Sequence, residues 1–250
     1  MRSWQLYRAT FNAVRMAIGG ELTTKRIMEK IDYIFMEAAK EAFDLRGDFL
    51  ELGSRVISDQ RFLSARNVFN ENLGKSDSYI GVDGIDGEGV DRVCDVRDLP
   101  FGDGTINTVI AMNLFEHVER SWLAFDEVKR VLSDDGVVII ATPFSYDIHG
   151  CPDDYYRYTP SFYLNTFDEL RTKITVTVGY RLRPKMVYFI GGEADTLEAN
   201  FDAFRDTYAA KHKEQLKPFA HALSSIRSRL CPNHFKNDIK YQHSFEIELH

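Results

Sequence analysis

The chain is 250 residues long, 44% hydrophobic and 28% charged, with a formal net charge of −7. That length suffices for one well-packed α/β unit with appendages, and the acidic balance argues against a nucleic-acid backbone as main partner, which would require a basic surface. Three cysteines, Cys94, Cys151 and Cys231, are widely spaced and form no CxxC pair, so the pattern points to neither zinc nor dithiol chemistry and fits a reduced, cytoplasmic setting.

The amino terminus, MRSWQLYRATFNAVRMAIGG, is interrupted by Arg8, Asn12 and Arg15 and reads as neither a signal peptide nor a membrane span, so a soluble protein is expected. Residues Leu6–Leu45 carry apolar side chains at helical spacing, Ile27, Ile31, Ile34, Phe35 and Ala38 among them, which predicts one or two helices before the first strand. Such a segment either packs on a sheet or covers a ligand cleft, and in the second case Trp4, Tyr7 and Phe11 are candidates for substrate contact. Asp48–Arg55, DFLELGSR, is a short apolar run ending in an acid and a glycine. A helix is expected around Ile57–Leu73 and a second strand at Tyr79–Asp83. The following link, GIDGEGVD, is too short and too glycine-rich for the crossover helix that parallel neighbours need, so the third strand, Arg92–Asp95, is predicted to be short and at the sheet edge. Thr108–Asn113 reads as the fourth strand, Ser121–Leu132 as its helix, and Gly136–Thr142 as the fifth strand after an Asp-Asp-Gly turn.

After Pro143 the pattern changes. A loop, Phe144–Pro160 (FSYDIHGCPDDYYRYTP), precedes a helical stretch at Ser161–Arg171, an alternating strand at Lys173–Tyr180 and its hairpin partner at Lys185–Ile190. Thr196–Leu230 reads as helix and Ser244–Leu249 as a final strand. Either Met186–Ile190 or Ser244–Leu249 supplies the seventh strand of the sheet, with the first preferred.

Acids stand at three strand ends. In open α/β sheets ligands bind outside the carboxyl ends of the strands, so Asp83 after Tyr-Ile-Gly-Val and Asp95 after Arg-Val-Cys have positions suited to a nucleoside. Each is also the type of residue that caps a turn. Upstream, Glu51 adds a carboxylate at a strand end and Gly53 permits close backbone approach to a ligand.

In the order ELGSR, GVD, CDVRDLPF, NTVIAMNLFEHV, EVKRVLSDDGVVIIATP, the chain resembles class I S-adenosylmethionine-dependent methyltransferases, in particular a small-molecule branch with an LPF…EHV pattern, over Phe49 to Pro160. The resemblance implies a Rossmann-like α/β sheet, mostly parallel with an antiparallel C-terminal strand. It divides the chain into an N-terminal helical cap (1–47), a cofactor-binding domain (48–192) and a helical extension ending in a strand (193–250). It also implies that S-adenosylmethionine is held by Glu51, Gly53, Ser54 and Arg55 beside its methionine part, by Asp83 at the ribose, by Asp95 and the Val96 amide at the adenine, and by Met112 and Asn113 along the sulfonium and methyl. The glycine loop departs from the family, since Gly53 is followed by Ser-Arg-Val-Ile with no further glycine until Gly74. Arg55 is a candidate to pair with the cofactor's carboxylate in compensation.

His117, just past the fourth strand, and His149, beside Gly150 in the aromatic loop, are the candidate general bases, because an imidazole titrates near neutrality. His117 could equally serve only to order its loop. The segment around His149 is similar to an H-x-x-P-x-D-Y-x-R-Y-T-P stretch of related methyltransferases and offers Tyr155, Tyr156 and Arg157 as substrate contacts. Asp154 and Arg157 are also spaced to pair with each other, and Thr159 or Ser161 to cap the next helix. Neighbouring Asp147, Asp153 and Asp154 do not give His149 a ligand geometry, so no metal is assigned.

The expected activity is methyl transfer to an oxygen or nitrogen of a small molecule or glycan precursor; the oligomeric state is left open, a homodimer included. A methyltransferase-like scaffold without catalysis is the alternative suggested by the missing glycines. A nicotinamide-dependent oxidoreductase is the third reading; it lacks GxGxxG, and Asp83 lies about 30 residues after Gly53 where about 20 is expected.

Overall fold

The computed structural model describes residues 24–57, 65–70, 73–74, 77–150, 153–180, 183–193, 195–214 and 245–250. Eight strands, β1 (Asp48–Leu52), β2 (Ser78–Asp83), β3 (Arg92–Val93), β4 (Ile106–Met112), β5 (Leu132–Pro143), β6 (Thr172–Tyr180), β7 (Arg183–Gly192) and β8 (Phe245–Leu249), form one sheet. Their order is β3-β2-β1-β4-β5-β7-β6-β8. The pairs β2–β3, β1–β2, β1–β4 and β4–β5 are parallel, and β5–β7, β6–β7 and β6–β8 are antiparallel. This is a Rossmann-like sheet with an antiparallel C-terminal end.

Both faces are covered, which is why the inner strands read as nearly continuous apolar runs. Phe49, Ile110, Ile139 and Tyr188 belong to one core, and Leu50, Leu52, Val109, Ile140 and Phe189 to the other. Alternation along each strand sends neighbours to opposite faces. The first face is covered by α1 (Thr24–Ala42), α2 (Ala65–Phe69), α5 (Asp195–Ala199) and α6 (201–214), and the second by α3 (Ser121–Val131) and α4 (Pro160–Thr166).

The described part of the amino-terminal segment packs on the sheet: Ile31, Ile34, Phe35, Ala38 and Ala39 recur at helical spacing and are all buried. Phe35 stacks on Tyr188 at 4.3 Å and meets Phe204 of α6 edge-on at 6.0 Å. Burial of one such ring stabilises by roughly 1.5–3 kcal/mol. Trp4, Tyr7 and Phe11 lie outside the described residues, as do 58–64 and 215–230 of the expected helices.

The link after Asp83 holds no helix, and β3 is a two-residue strand at the edge, as its length requires. Two strand readings are settled. β7 occupies the position between β5 and β6, and β8 adds an eighth strand outside β6. The fifth strand begins at Leu132 rather than Gly136. Leu132 pairs with Ile106 and Val137 with Thr108, so the Asp-Asp-Gly stretch bulges within the ladder instead of preceding it. The helix expected to run to Arg171 ends at Thr166, because Phe167 leaves helical geometry and stacks on Phe189 at 5.2 Å. Its start is as expected, with the Thr159 hydroxyl accepting from the Phe162 N–H at 3.2 Å and Pro160 in the first turn.

Candidate active site

Strand order reverses between β1 and β4, and the crevice outside their carboxyl ends is where a sheet of this type binds a ligand. Gly53 turns the chain out of β1 at φ +75°, and a side chain there would press on Leu114, 3.0 Å away. The N–H groups of Gly53 and Ser54 both bond to the Val82 carbonyl, at 2.8 and 3.1 Å, which ties this turn to the end of β2. Asp83 is therefore fixed beside it. Its Oδ1 accepts the Ile85 N–H at 2.9 Å, and its Oδ2 faces the Arg55 N–H at 3.4 Å, with Arg55 Nε 3.8 Å from Oδ1. Arg55 thus turns toward Asp83. Beyond Asp83 a Cβ added to Gly84 would meet no atom within 4 Å, so the strand end opens onto free space.

The other cofactor candidates fall into three groups. Asp95 sits near Asp83, since the Cys94 N–H bonds to the Asp83 carbonyl at 3.0 Å, and Val96 is buried behind it. The Arg97 guanidinium grips Asp95 through Nε and Nη2 and holds its carboxyl below the usual range. Met112 is half-buried at the end of β4, and Asn113 adopts the left-handed region at φ 54°, which asparagine tolerates better than most residues. Its amide donates to Asp32 Oδ2 at 2.9 Å, while Asp32 Oδ1 accepts from the buried Tyr188 hydroxyl at 2.7 Å. Asp32 of α1 thereby braces the crevice. Glu51 points to the α1 face, where its carboxylate takes the Tyr79 hydroxyl at 2.8 Å and the N–H groups that start α2. Burial dominates there and pushes Glu51 up to about 7.

A 3-10 turn, Phe115–His117, follows β4, and the aromatic loop docks on it. The Tyr155 N–H bonds to the Glu116 carbonyl at 2.7 Å, the Tyr158 hydroxyl to the Phe115 carbonyl at 3.1 Å, and the Tyr156 hydroxyl to the Glu119 carbonyl at 2.6 Å. Docking brings His117 and His149 together, ring centroids 4.8 Å apart. His117 Nδ1 lies 2.5 Å from the Asp153 carbonyl, and His149 Nδ1 lies 3.0 Å from Asp154 Oδ2. Arg157 closes on both oxygens of Asp154, which lowers that carboxyl, and also reaches the Tyr146 and Asp147 carbonyls. Its guanidinium is used to hold the loop. Tyr155 is exposed and remains available to a substrate. Glu116 is wholly buried, and burial pushes its carboxyl up to about 8.

A family model described as a methyltransferase domain matches residues 73–140, which span β2, β3 and β4 and most of β5. Over these residues the chain is similar to a methyltransferase domain. Solved structures similar to this chain include an S-adenosylmethionine-dependent methyltransferase of Thermotoga maritima, 12% identical, with a TM-score of 0.49 over 72% of this chain and 99% of the other. The YcgJ protein of Bacillus subtilis is 13% identical, with a TM-score of 0.47 over 64% of this chain and 98% of its own. No curated protein matches the sequence.

The residues present fit the cofactor that the resemblance implies, S-adenosylmethionine. Asp83 keeps spare lone pairs beside open space, and the Ser54 hydroxyl is buried in the turn without a hydrogen-bond partner among the described residues. Two residues of the site were not singled out from the sequence. Asp32 lies 81 residues from its partner Asn113 and carries no local signal. Glu116 did carry one, as an acid directly after the apolar pair Leu114-Phe115.

Proposed function

We propose that this methyltransferase transfers a methyl group to an oxygen or nitrogen of a small molecule or glycan precursor in the cytoplasm. The observation that supports the cofactor half of this reading is Asp83, fixed at the end of β2 beside the Gly53 turn and open space. Asp83 would accept the two ribose hydroxyls, Asp95 and the Val96 amide would meet the adenine, and Ile85, half-exposed next to Asp83, offers apolar surface to the base. Gly53, Ser54 and Arg55 would border the methionine part, with Glu51 holding their turn through α2 and Tyr79.

S-adenosylmethionine supplies the electrophilic methyl when bound. What the chain contributes to an in-line displacement is mainly positioning, which can replace about 7–11 kcal/mol of barrier. Met112 and Asn113 would set the direction of approach, and the Asp32 brace fixes the Asn113 side chain. The acceptor would enter between the 115–117 turn and the aromatic loop, against Tyr155 and Tyr156. His117 and His149 are the candidate bases there: the carbonyl and carboxylate at their Nδ1 atoms only accept hydrogen bonds, so the proton sits on Nδ1 and the lone pair on Nε2.

The test is transfer of labelled methyl from S-adenosylmethionine to pools of low-molecular-weight alcohols, amines and sugar nucleotides, with bulk protein and RNA as competing acceptors. Label in the small-molecule pool supports the reading. Label confined to macromolecules overturns it.

A further inference from the structure

The docking of the aromatic loop also brings the buried Glu116 against the two candidate bases. Ligand-capable atoms of Glu116, His117 and His149 all lie within 4.8 Å of one another. Glu116 has no exposed surface, and neither carboxylate oxygen accepts a hydrogen bond from another described residue. His117 Nε2 stands 3.8 Å from Glu116 Oε1, too far for a hydrogen bond. A buried carboxyl without a hydrogen-bond partner is costly unless it keeps its proton or takes a cation.

The two imidazoles are prepared for such a charge. His117 is held through Nδ1 by the Asp153 carbonyl at 2.5 Å. His149 is held through Nδ1 by Asp154 at 3.0 Å, and Asp154 is itself fixed by Arg157. These partners fix the tautomer that leaves Nε2 unprotonated, the arrangement found behind metal-ligating histidines, where a carbonyl or carboxylate takes the other ring N–H. From these observations we infer that Glu116, His117 and His149 bind a divalent transition-metal cation, with zinc the best match to two imidazole nitrogens and one carboxylate.

The distances are compatible with an open site of three protein ligands and one exchangeable position. An ion at the centre of a triangle with 4.8 Å edges lies about 2.8 Å from each corner, so each ligand must close by roughly 0.7 Å to reach a bond of about 2.1 Å. His149 has a side chain 36% exposed, so the loop side can make that adjustment and the fourth position can face the acceptor. The cation site does not rest on the methyl-transfer reading; only its use does. An ion there occupies the same lone pairs that would serve a base, and would orient and polarise the acceptor instead.

The test uses the full chain, stripped with a chelator and titrated with Zn²⁺ by calorimetry, with Co²⁺ as a visible ligand-field probe and Mg²⁺ as the hard-cation control. One equivalent of Zn²⁺ should bind more tightly than Mg²⁺, and Co²⁺ should develop tetrahedral bands that Zn²⁺ abolishes. His149→Ala, on the exposed side, and Glu116→Gln, close in shape, should each weaken Zn²⁺ binding by at least about tenfold. Absence of Zn²⁺ binding by the wild type, or equal binding by both folded variants, overturns the inference. S-adenosylhomocysteine titrated into the same stripped protein separates the two readings: its binding without Zn²⁺ binding sinks only the metal site, and Zn²⁺ binding without it leaves the metal site standing.

Discussion

Replacing Asp83 with asparagine isolates the ribose contact while sparing the turn that carries it. The Asp83 carboxylate is 19% exposed and already accepts the Ile85 N–H at 2.9 Å. An asparagine can keep that bond through its remaining oxygen, so the loop at 84–85 should hold and the midpoint of thermal unfolding should stay close to that of the wild type. What it cannot keep is the second anionic oxygen, since its NH₂ group meets a ribose hydroxyl only as another donor. Loss of one hydrogen bond to a charged group costs about 1.5–3 kcal/mol, which corresponds to affinity for S-adenosylhomocysteine about ten- to hundredfold lower. Calorimetry on Asp83→Asn beside the wild type measures this directly. A dissociation constant within about threefold of the wild type, in a folded protein, would refute the placement of the ribose at the end of β2.

Three other perturbations follow from buried polar groups. Glu51 ionises near 7 in the folded chain against an unperturbed 4.5, so the folded state retains a proton that the unfolded state has lost. Its contribution is present in full below about pH 4.5 and declines as pH rises through 7, by about 3 kcal/mol in total; Glu51→Gln, which can still accept the Tyr79 hydroxyl, should flatten this part of the urea-unfolding stability profile, and an unchanged profile would count against the burial argument. Asp32→Ala leaves the Asn113 amide and the buried Tyr188 hydroxyl without their acceptor and should cost about 3 kcal/mol in denaturant unfolding; a loss under about 1 kcal/mol would mean that water or a neighbour replaces it. Arg157→Met strands the Asp154 carboxylate, 2% exposed, and should destabilise by about 3–5 kcal/mol, whereas the double change with Asp154→Asn should recover much of that loss. No recovery in the double variant would show that Arg157 acts mainly through the Tyr146 and Asp147 carbonyls.

The strands and the edge position of the third were legible because parallel strands buried on both faces are largely apolar and are normally joined by crossovers of a minimum length. DFLEL, YIGVD and INTVIAM satisfy the first condition, and GIDGEGVD fails the second, so a short edge strand could be read from an absence of residues. The bulge at Asp134–Gly136 was hidden for the opposite reason. A polar Asp-Asp-Gly triplet looks like a turn wherever it occurs, and only the pairing of Leu132 with Ile106 reveals that the ladder continues across it. The end of α4 was likewise decided elsewhere, by the ring of Phe189 that receives Phe167.

The same distinction divides the site. Asp83 and Gly53 act from the ends of single strands, so their positions follow from the local pattern, and the structure needs only the shared Val82 carbonyl to bring them together. Asp32, Asn113 and Tyr188 come from a helix and two strands, and nothing near any one of them in sequence names the other two. Glu116 is the sharper case. An acid in an apolar stretch could have been set at a turn facing water, where it would carry no consequence. The loop at 153–158 removes that option: Tyr155 and Tyr156 bond to the Glu116 backbone carbonyl, Tyr158 bonds to its neighbour Phe115, and the side chain is closed in beside two histidines. A carboxylate buried in this way must share a proton or a cation with its surroundings. Both histidines have Nδ1 committed to the Asp153 carbonyl and to Asp154, and with Glu116 they present the donor set of a cation site.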